Sequence, residues 1–517
     1  MPRILPLLLV AATLGLSPLA RADGELRQDE KTAVGRDGNR KAAAAPAPDA
    51  AAVDPFTAVA ALLRAEDFAG ALRLLRPQLA SPAFAEHPPM ERQRLHQAIG
   101  WVAARAGDMD LASEQFRAAI AAGSTDIDSW TWLTLVEMDR GDFDAAALAM
   151  ASLARRWPGR MDVFERPQVW LAFGSARRGG DAERALLEAL FETGWDLPQL
   201  GGADEMWHRL ALRRLADGDR EGAAEVVARL RAPLQLVQVR SDRRFDGLVD
   251  RDAPELDIGR AAARHATEMR LQALLAPERL DVLLVQLGAL RDAGEFQEAL
   301  AIADEALARL DAADPAAPPF EDMDYVGSLG NQRAQILLHL GRAEEATAQL
   351  LAASRAEEFG ADNVSQVLNL ALLHNRRGQT DAAREALSRL GSQLSPYGRL
   401  IARYARLGIA LAEDDAAAAA AALAYLAENE ALNPTILLEG LVDAGRLDEA
   451  ATRLIAQLDD ETTRADALLN LQTLRRPPVL PGEAESTARW QALKARDDVR
   501  AAALRVGYLE SHALHAD

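Results

Sequence analysis

Residues 127–158 read IDSWTWLTLVEMDRGDFDAAALAMASLARRWP. Apolar residues at three- and four-residue spacing on both sides of Gly141 predict two amphipathic helices. Gly141 predicts where the first one stops, because glycine reaches positive φ without a Cβ clash. Ala146 falls five residues later, where a small side chain lets the second helix pack closely against the first. Pro158 ends the second helix. The segment is therefore read as a helical hairpin.

The same glycine-to-alanine spacing recurs along the chain. The pairs are Gly107/Ala112, Gly141/Ala146, Gly180/Ala185, Gly218/Ala223, Gly294/Ala299, Gly341/Ala346, Gly378/Ala383 and Gly445/Ala450. The first two glycines are 34 residues apart, and the next intervals are 39 and 38. A period in this range marks stacked supersecondary repeats. Composition agrees, because alanine supplies about a fifth of the chain and favours helix over strand.

The pattern resembles the tetratricopeptide repeat family, with an exported bacterial protein as the expectation. Trp130, Leu133, Gly141, Phe143, Ala146, Met150 and Pro158 all stand at the family spacing. Ile99, Gly100, Gly107, Ala112, Phe116 and Ala119 mark the preceding unit, and Trp207, Leu210, Gly218, Ala223 and Val227 mark a later one. Gly294-Glu295-Phe296 with Ala299, Ala303 and Ala306 marks a fourth, while Glu66-Asp67-Phe68 with Ala71 and Asp414 with Ala419 are weaker. Thr134 and Ala211 replace the glycine of the family's leucine-glycine pair, Glu137 and Arg214 replace its aromatic, and Leu287-Gly288 is shifted by one residue. The resemblance covers most of residues 58–475. It implies an all-α fold, an α-α superhelix of antiparallel hairpins in which each unit buries its neighbour's apolar face. Trp130, Trp207, Gly107, Gly141, Gly218, Gly294, Ala112, Ala146, Ala223 and Ala299 are then structural positions.

Outside the repeats, Arg3, the apolar run Ile4–Leu16 and the small-residue site Ala20-Arg21-Ala22 have the layout of a signal peptide spanning 1–22, cleaved after Ala22. Residues 23–54, with Ala42-Ala43-Ala44-Ala45-Pro46-Ala47-Pro48, read as a disordered alanine/proline linker. A first array is expected over 58–232, a junction over 233–278, a second array over 279–475 and a C-terminal cap over 476–517. Residues 311–325, with Asp314-Pro315 and Pro318-Pro319, are expected to lie outside helices, and 485–515 to form one or two capping helices.

The chain has 517 residues, 78 acids against 58 lysines and arginines, a formal charge of -20 and no cysteine. That balance argues against nucleic acid, which requires a basic face, and against anionic membrane surfaces. Disulfides, thiolate metal sites and cysteine nucleophiles are excluded. Lys31, Lys41 and Lys494 are the only lysines, a bias typical of GC-rich bacterial genomes.

Enzyme signatures are scarce. There is no His-Glu-x-x-His, phosphate-binding loop or Gly-x-Ser-x-Gly elbow. His512 and His515 are the only histidines close in sequence, and a frayed terminus is the simpler reading. Asp217-Gly218-Asp219-Arg220-Glu221-Gly222 opens like a calcium loop, but Ala228 stands where the bidentate glutamate belongs. Acid pairs such as Asp414/Asp415 and Asp459/Asp460 read as solvated turns. No catalytic residue, metal or cofactor is assigned.

Tryptophan distribution points elsewhere. Seven of eight lie between Trp101 and Trp207. The resemblance places Trp101 and Trp170 on first-helix positions that line the concave groove, with Arg94, Arg105, Arg177 and Arg178 mapped to the same surface. Aromatic residues beside arginines suit an extended acidic peptide or a sugar. Gap-filling by tryptophan and simple solvation by arginine is the competing reading. The expected function is a non-catalytic scaffold of the periplasm or cell envelope that binds a protein or peptide. The alternative is an accessory factor in envelope polysaccharide export or assembly, and an enzyme sited in the non-repeat segments is a third.

Overall fold

A computed structural model of the chain describes residues 55–516, apart from 198–199, 315, 358–362 and 392–393. The expected signal peptide and linker lie outside the described residues. The fold is all-α, with 26 α-helices and two short strands among the described residues. It divides into two compact units, 55–195 and 196–516. Each unit is built of antiparallel helical hairpins in α-α superhelical succession.

The hairpins of the first unit are Pro55–Arg64 with Phe68–Leu79, Pro89–Arg105 with Met109–Ala121, Ile127–Arg140 with Phe143–Arg156, and Arg166–Ser175 with Asp181–Glu192. The turns show why this sequence folds so. Gly141 takes φ 76°, its N–H bonds to the Met138 carbonyl at 3.0 Å, and the Asp142 N–H bonds back to the Glu137 carbonyl at 2.9 Å. This closes the first helix in a Schellman turn. The Asp142 carboxylate then caps the next helix at the Ala145 N–H, 3.1 Å away. Asp67, Asp108, Asp219 and Asp415 cap their helices in the same way. Each such cap contributes ~1 kcal/mol, which gives these turn aspartates a structural role. Ala112, Ala146, Ala223 and Ala299 are each wholly buried, and Trp130 and Trp207 are in the core.

Two turns use no glycine. Glu66 and Asp414 adopt φ 56° and 55°, five residues before the buried Ala71 and Ala419. The turn geometry therefore persists in the weaker units at the cost of left-handed strain. Replacing Asp414 by glycine is expected to raise stability by about 0.5–1 kcal/mol, read as the midpoint of urea unfolding; a lowered midpoint contradicts this. One pair needs correction. Gly180 has φ -80° and precedes the helix Asp181–Glu192 as its N-cap, while Gly179 carries the positive φ of 75°. Two successive glycines moved the left-handed position one residue earlier than the spacing predicts.

The second unit begins with Asp204–Ala216 and Arg220–Val227, followed by Pro233–Ser241 and Ile258–Leu275. The segment expected as a junction is thus largely helical, with irregular stretches at 242–257 and 276–278. Pro233–Ser241 buries Pro233, Leu236, Val237, Gln238, Val239 and Ser241, so no one-sided apolar stripe announces it. Hairpins then continue through Leu280–Asp292 with Phe296–Ala312, Val326–His339 with Ala343–Ala353, Val364–Arg376 with Thr380–Ser388, Pro396–Ala412 with Ala416–Glu428, and Pro434–Asp443 with Leu447–Asp459.

The last helix of this array, Arg464–Leu471, packs against Pro233–Ser241 near its start. Gln238 donates to Asp466 at 3.2 Å, and Arg244 donates to the Glu461 carbonyl at 2.8 Å. The array therefore curls until its ends meet. The C-terminal segment secures that seam. Helix Ala484–Ala495 lies beside the turns that follow Arg376 and Asp443: Arg376 pairs with Glu483 at 2.5 Å, and Asp443 accepts from Ser486. Helix Asp497–Val506 follows against Leu447–Asp459, where Arg505 pairs with Asp459. Tyr508 then donates its main-chain N–H to Ser241 at 2.8 Å, and Glu510 accepts from Arg240 at 2.8 Å and Arg251 at 2.6 Å. Ser511–His515 ends the chain as a strand parallel to Thr473–Arg475. His512 and His515 consequently sit in a paired strand rather than a frayed helix, with His515 stacked edge-to-face on Phe296 at 4.9 Å.

Candidate interaction surfaces

In the unit 55–195, helix Pro89–Arg105 presents Arg94, Ala98, Trp101 and Arg105 at intervals of four, three and four, which place them on one face. Arg94, Ala98 and Arg105 are exposed and Trp101 is half-buried. Phe68, the first residue of helix Phe68–Leu79, meets the Trp101 ring edge-on at 5.6 Å. The Arg105 guanidinium lies over the same Phe68 ring, 4.9 Å from its centroid. Phe68 thereby braces an aromatic surface edged by two cations. An edge-to-face pair contributes ~1 kcal/mol beyond area burial and an exposed cation–π contact ~0.5–1 kcal/mol. Phe68 is not among the residues singled out from sequence, where it counted only as part of a weak turn motif.

The other three residues assigned to the groove sit differently. Trp170 is on helix Arg166–Ser175, half-buried, and packs edge-on against Phe173 at 5.6 Å. Its indole N–H is enclosed and lacks a hydrogen-bond partner among the described residues. Arg177 is exposed beyond that helix, with its main-chain N–H donating to Asp144 at 2.8 Å and its guanidinium 3.4 Å from the same carboxylate. Arg178 is exposed beside it. Hairpin Ile127–Arg156 intervenes in the chain between Trp101 and Trp170, and each ring has its own aromatic partner. Trp130 packs on Trp157 at 5.0 Å with Arg156 over both rings, a core arrangement.

No protein-family model matches the chain, and no curated protein matches it. Among solved structures it is similar to a tetratricopeptide repeat protein from Parabacteroides merdae ATCC 43184, at 11% identity and a TM-score of 0.30, covering 62% of this chain and 97% of that one.

A cluster of buried titratable groups lies in the other unit. Glu439 and Asp443 stand one turn apart on helix Pro434–Asp443, against Tyr404 and the strap helix Ala484–Ala495. Burial, aided by the neighbouring Asp443 charge, pushes the Glu439 carboxyl up to about 7. Burial also raises Asp443, which accepts from Tyr404 at 2.9 Å and from Ser486. Burial and the nearby Arg476 push Lys494 down to about 8. Asp443 is bonded to the C-terminal helix Ala484–Ala495 through Ser486, and Glu439 is buried beside it with Tyr404 as its hydrogen-bond partner, which makes the pair part of the fold's fastening. Asp414 and Asp415, by contrast, form a turn and a cap, and Asp219 of the calcium-like stretch caps its own helix at Gly222, 2.9 Å away. No group of three or more metal-ligating side chains is present among the described residues, and none of their helices is long and apolar enough to cross a membrane.

Proposed function

We propose that the chain is a non-catalytic interaction scaffold of the bacterial periplasm or cell envelope, and that the unit 55–195 holds an extended protein or peptide segment on the Arg94–Trp101–Arg105 face. The observation that carries this reading is the Phe68–Trp101–Arg105 cluster, an aromatic surface with cations left at its exposed edge. Local charge supports an acidic partner, since residues 55–105 hold six arginines against four acids, a formal +2, within a chain of -20. A braced aromatic with adjacent guanidinium groups is the composition of a binding hot spot. Export rests on the N-terminal signal-like segment.

The test is capture of partners from the native envelope fraction by the full chain and by a variant carrying Arg94→Ala, Trp101→Ala and Arg105→Ala. The reading expects one stoichiometric protein partner, lost by at least ~10-fold in the variant while its helical circular dichroism is retained. A second variant carrying Trp170→Ala and Arg177→Ala separates the contribution of the neighbouring helix. Unchanged capture by the first variant would sink the reading. Recovery of polysaccharide in place of protein would transfer the surface to the polymer-export alternative.

A further inference from the structure

In the unit 196–516, the first helices of the hairpins are closed to solvent. Leu280–Asp292, Val326–His339, Val364–Arg376 and Pro434–Asp443 have no exposed residue, and Asp204–Ala216 has only its terminal Ala216. Helix Pro396–Ala412 breaks this rule. Its exposed residues are Pro396 and Ala412 at the ends and, between them, Arg399, Arg403 and Arg406. The intervals of four and three put the three guanidinium groups on one stripe.

These arginines have no acid partner among the described residues. Arginines elsewhere in the unit, such as Arg270, Arg342, Arg384, Arg446 and Arg496, are each paired with carboxylates; here three without one share a single helix face. Arg399 donates to the Leu394 carbonyl, and Arg403 lies 5.2 Å from the centroid of the Tyr425 ring. Arg406 is left with a like charge beside it: burial and the Arg403 guanidinium together lower its pKa. A fold carrying an excess of acids would relieve that repulsion by placing one carboxylate there. Leaving three cations without a carboxylate on one helix face is a cost to stability, and it vanishes when an anion arrives.

We propose that Arg399, Arg403 and Arg406 form a second docking surface, specific for an extended acidic polypeptide segment and separate from the Trp101 face. The spacing fits. Along a helix the three side chains are set ~6 and ~4.5 Å apart, while alternate residues of an extended strand lie ~6.8 Å apart. The first interval matches that step within ~1 Å, and the long Arg406 stem takes up the ~2.3 Å difference at the second, so acids at every second position of an extended peptide reach successive arginines; Arg403 lies against the Tyr425 ring. Bidentate guanidinium–carboxylate pairing supplies geometry as well as charge.

The test uses the full chain and two fluorescein-labelled decapeptides, one alternating glutamate with serine and one alternating glutamine with serine, read by fluorescence anisotropy. The acidic peptide is expected to bind in a salt-dependent manner and the glutamine peptide not to bind. Arg403→Gln combined with Arg406→Gln is expected to weaken binding at least ~10-fold while the thermal midpoint holds or rises, because repulsion is removed. Arg403→Lys with Arg406→Lys is expected to recover part of the loss. Arg94→Gln with Arg105→Gln in the other unit distinguishes the two surfaces: if that variant, and not the first, abolishes binding, the proposal is overturned. It is also overturned by equal binding of the glutamine peptide, by no binding of the acidic one, or by tighter binding of polygalacturonate than of either peptide through the same arginines.

Discussion

Replacing Gly507 by valine is expected to lower the stability of the unit 196–516 by about 3 kcal/mol. A Cβ at this position would stand 2.4 Å from the Ser241 carbonyl oxygen and 2.5 Å from a Leu468 methyl. The backbone there is extended, at φ -159°, so the cost is collision with the seam and not torsional strain. Gly482 makes a comparable approach, its added Cβ falling 2.2 Å from the Asn375 carbonyl oxygen and 2.5 Å from the Gly378 nitrogen. Main-chain atoms in a capped turn have little room to retreat. Gly288 is the control, because nothing lies within 4 Å of its added Cβ. Gly288→Ala should instead stabilise its helix by up to ~1 kcal/mol. Urea unfolding of the three variants, with hydrogen exchange over 507–515, separates these outcomes. Losses at 507 and 482 with lowered protection of the terminal strand fit the strap. Wild-type stability in both would mean that the C-terminal segment does not lie where the seam places it.

The second large effect is a pH dependence. The Glu439 carboxyl titrates at about 7 in the folded protein and near 4.5 when unfolded. Between those values the folded state holds the extra proton, so stability is greatest at the acid end and falls as pH rises through 7. A shift of this size corresponds to about 3 kcal/mol. Asp204, raised to about 6 by burial, acts in the same sense, whereas His265, lowered to about 4 by burial, acts in the opposite one. Glu439→Gln should therefore remove about 3 kcal/mol of the loss between pH 5 and pH 8.5 and leave the remainder. An unaltered pH profile in that variant would show that Glu439 is solvated and not buried beside Asp443 and Tyr404.

The local half of the fold was legible because each hairpin repeats its own instructions. A turn glycine and a buried alanine recur five residues apart, joined by an aspartate cap at Asp108, Asp142 and Asp219, and the physics that uses them is equally local. Even where glycine is absent, Asp414 and Ala419 keep the turn and its contact. Two neighbouring glycines were enough to misplace the left-handed residue by one position. Helix Pro233–Ser241 left no amphipathic trace because it is buried almost all round.

The closure of the second unit was not legible. Gln238 and Asp466 are 228 residues apart, and Arg240 and Glu510 are 270 apart. No periodicity links such pairs, and a five-residue strand such as Ser511–His515 is too short to be told from a helix end. The candidate surface divides in the same way. Trp101 and Arg105 could be chosen by residue type and register, but Phe68 acquires its meaning only from a contact across two helices. Arg399, Arg403 and Arg406 form a regular pattern in sequence, yet their lack of acid partners is a property of the folded unit.

The claim that the Arg94–Trp101–Arg105 face holds an extended protein segment is tested most directly by placing a photo-crosslinking amino acid at Trp101 in the full chain, expressed in its native cells. The same group at Ser152, an exposed position on helix Phe143–Arg156, serves as the control. The account predicts a single peptide adduct at position 101, mapped to an acid-rich segment of one protein and absent at position 152. Equal labelling at the two positions, or adducts with no preference for one protein segment, would contradict it.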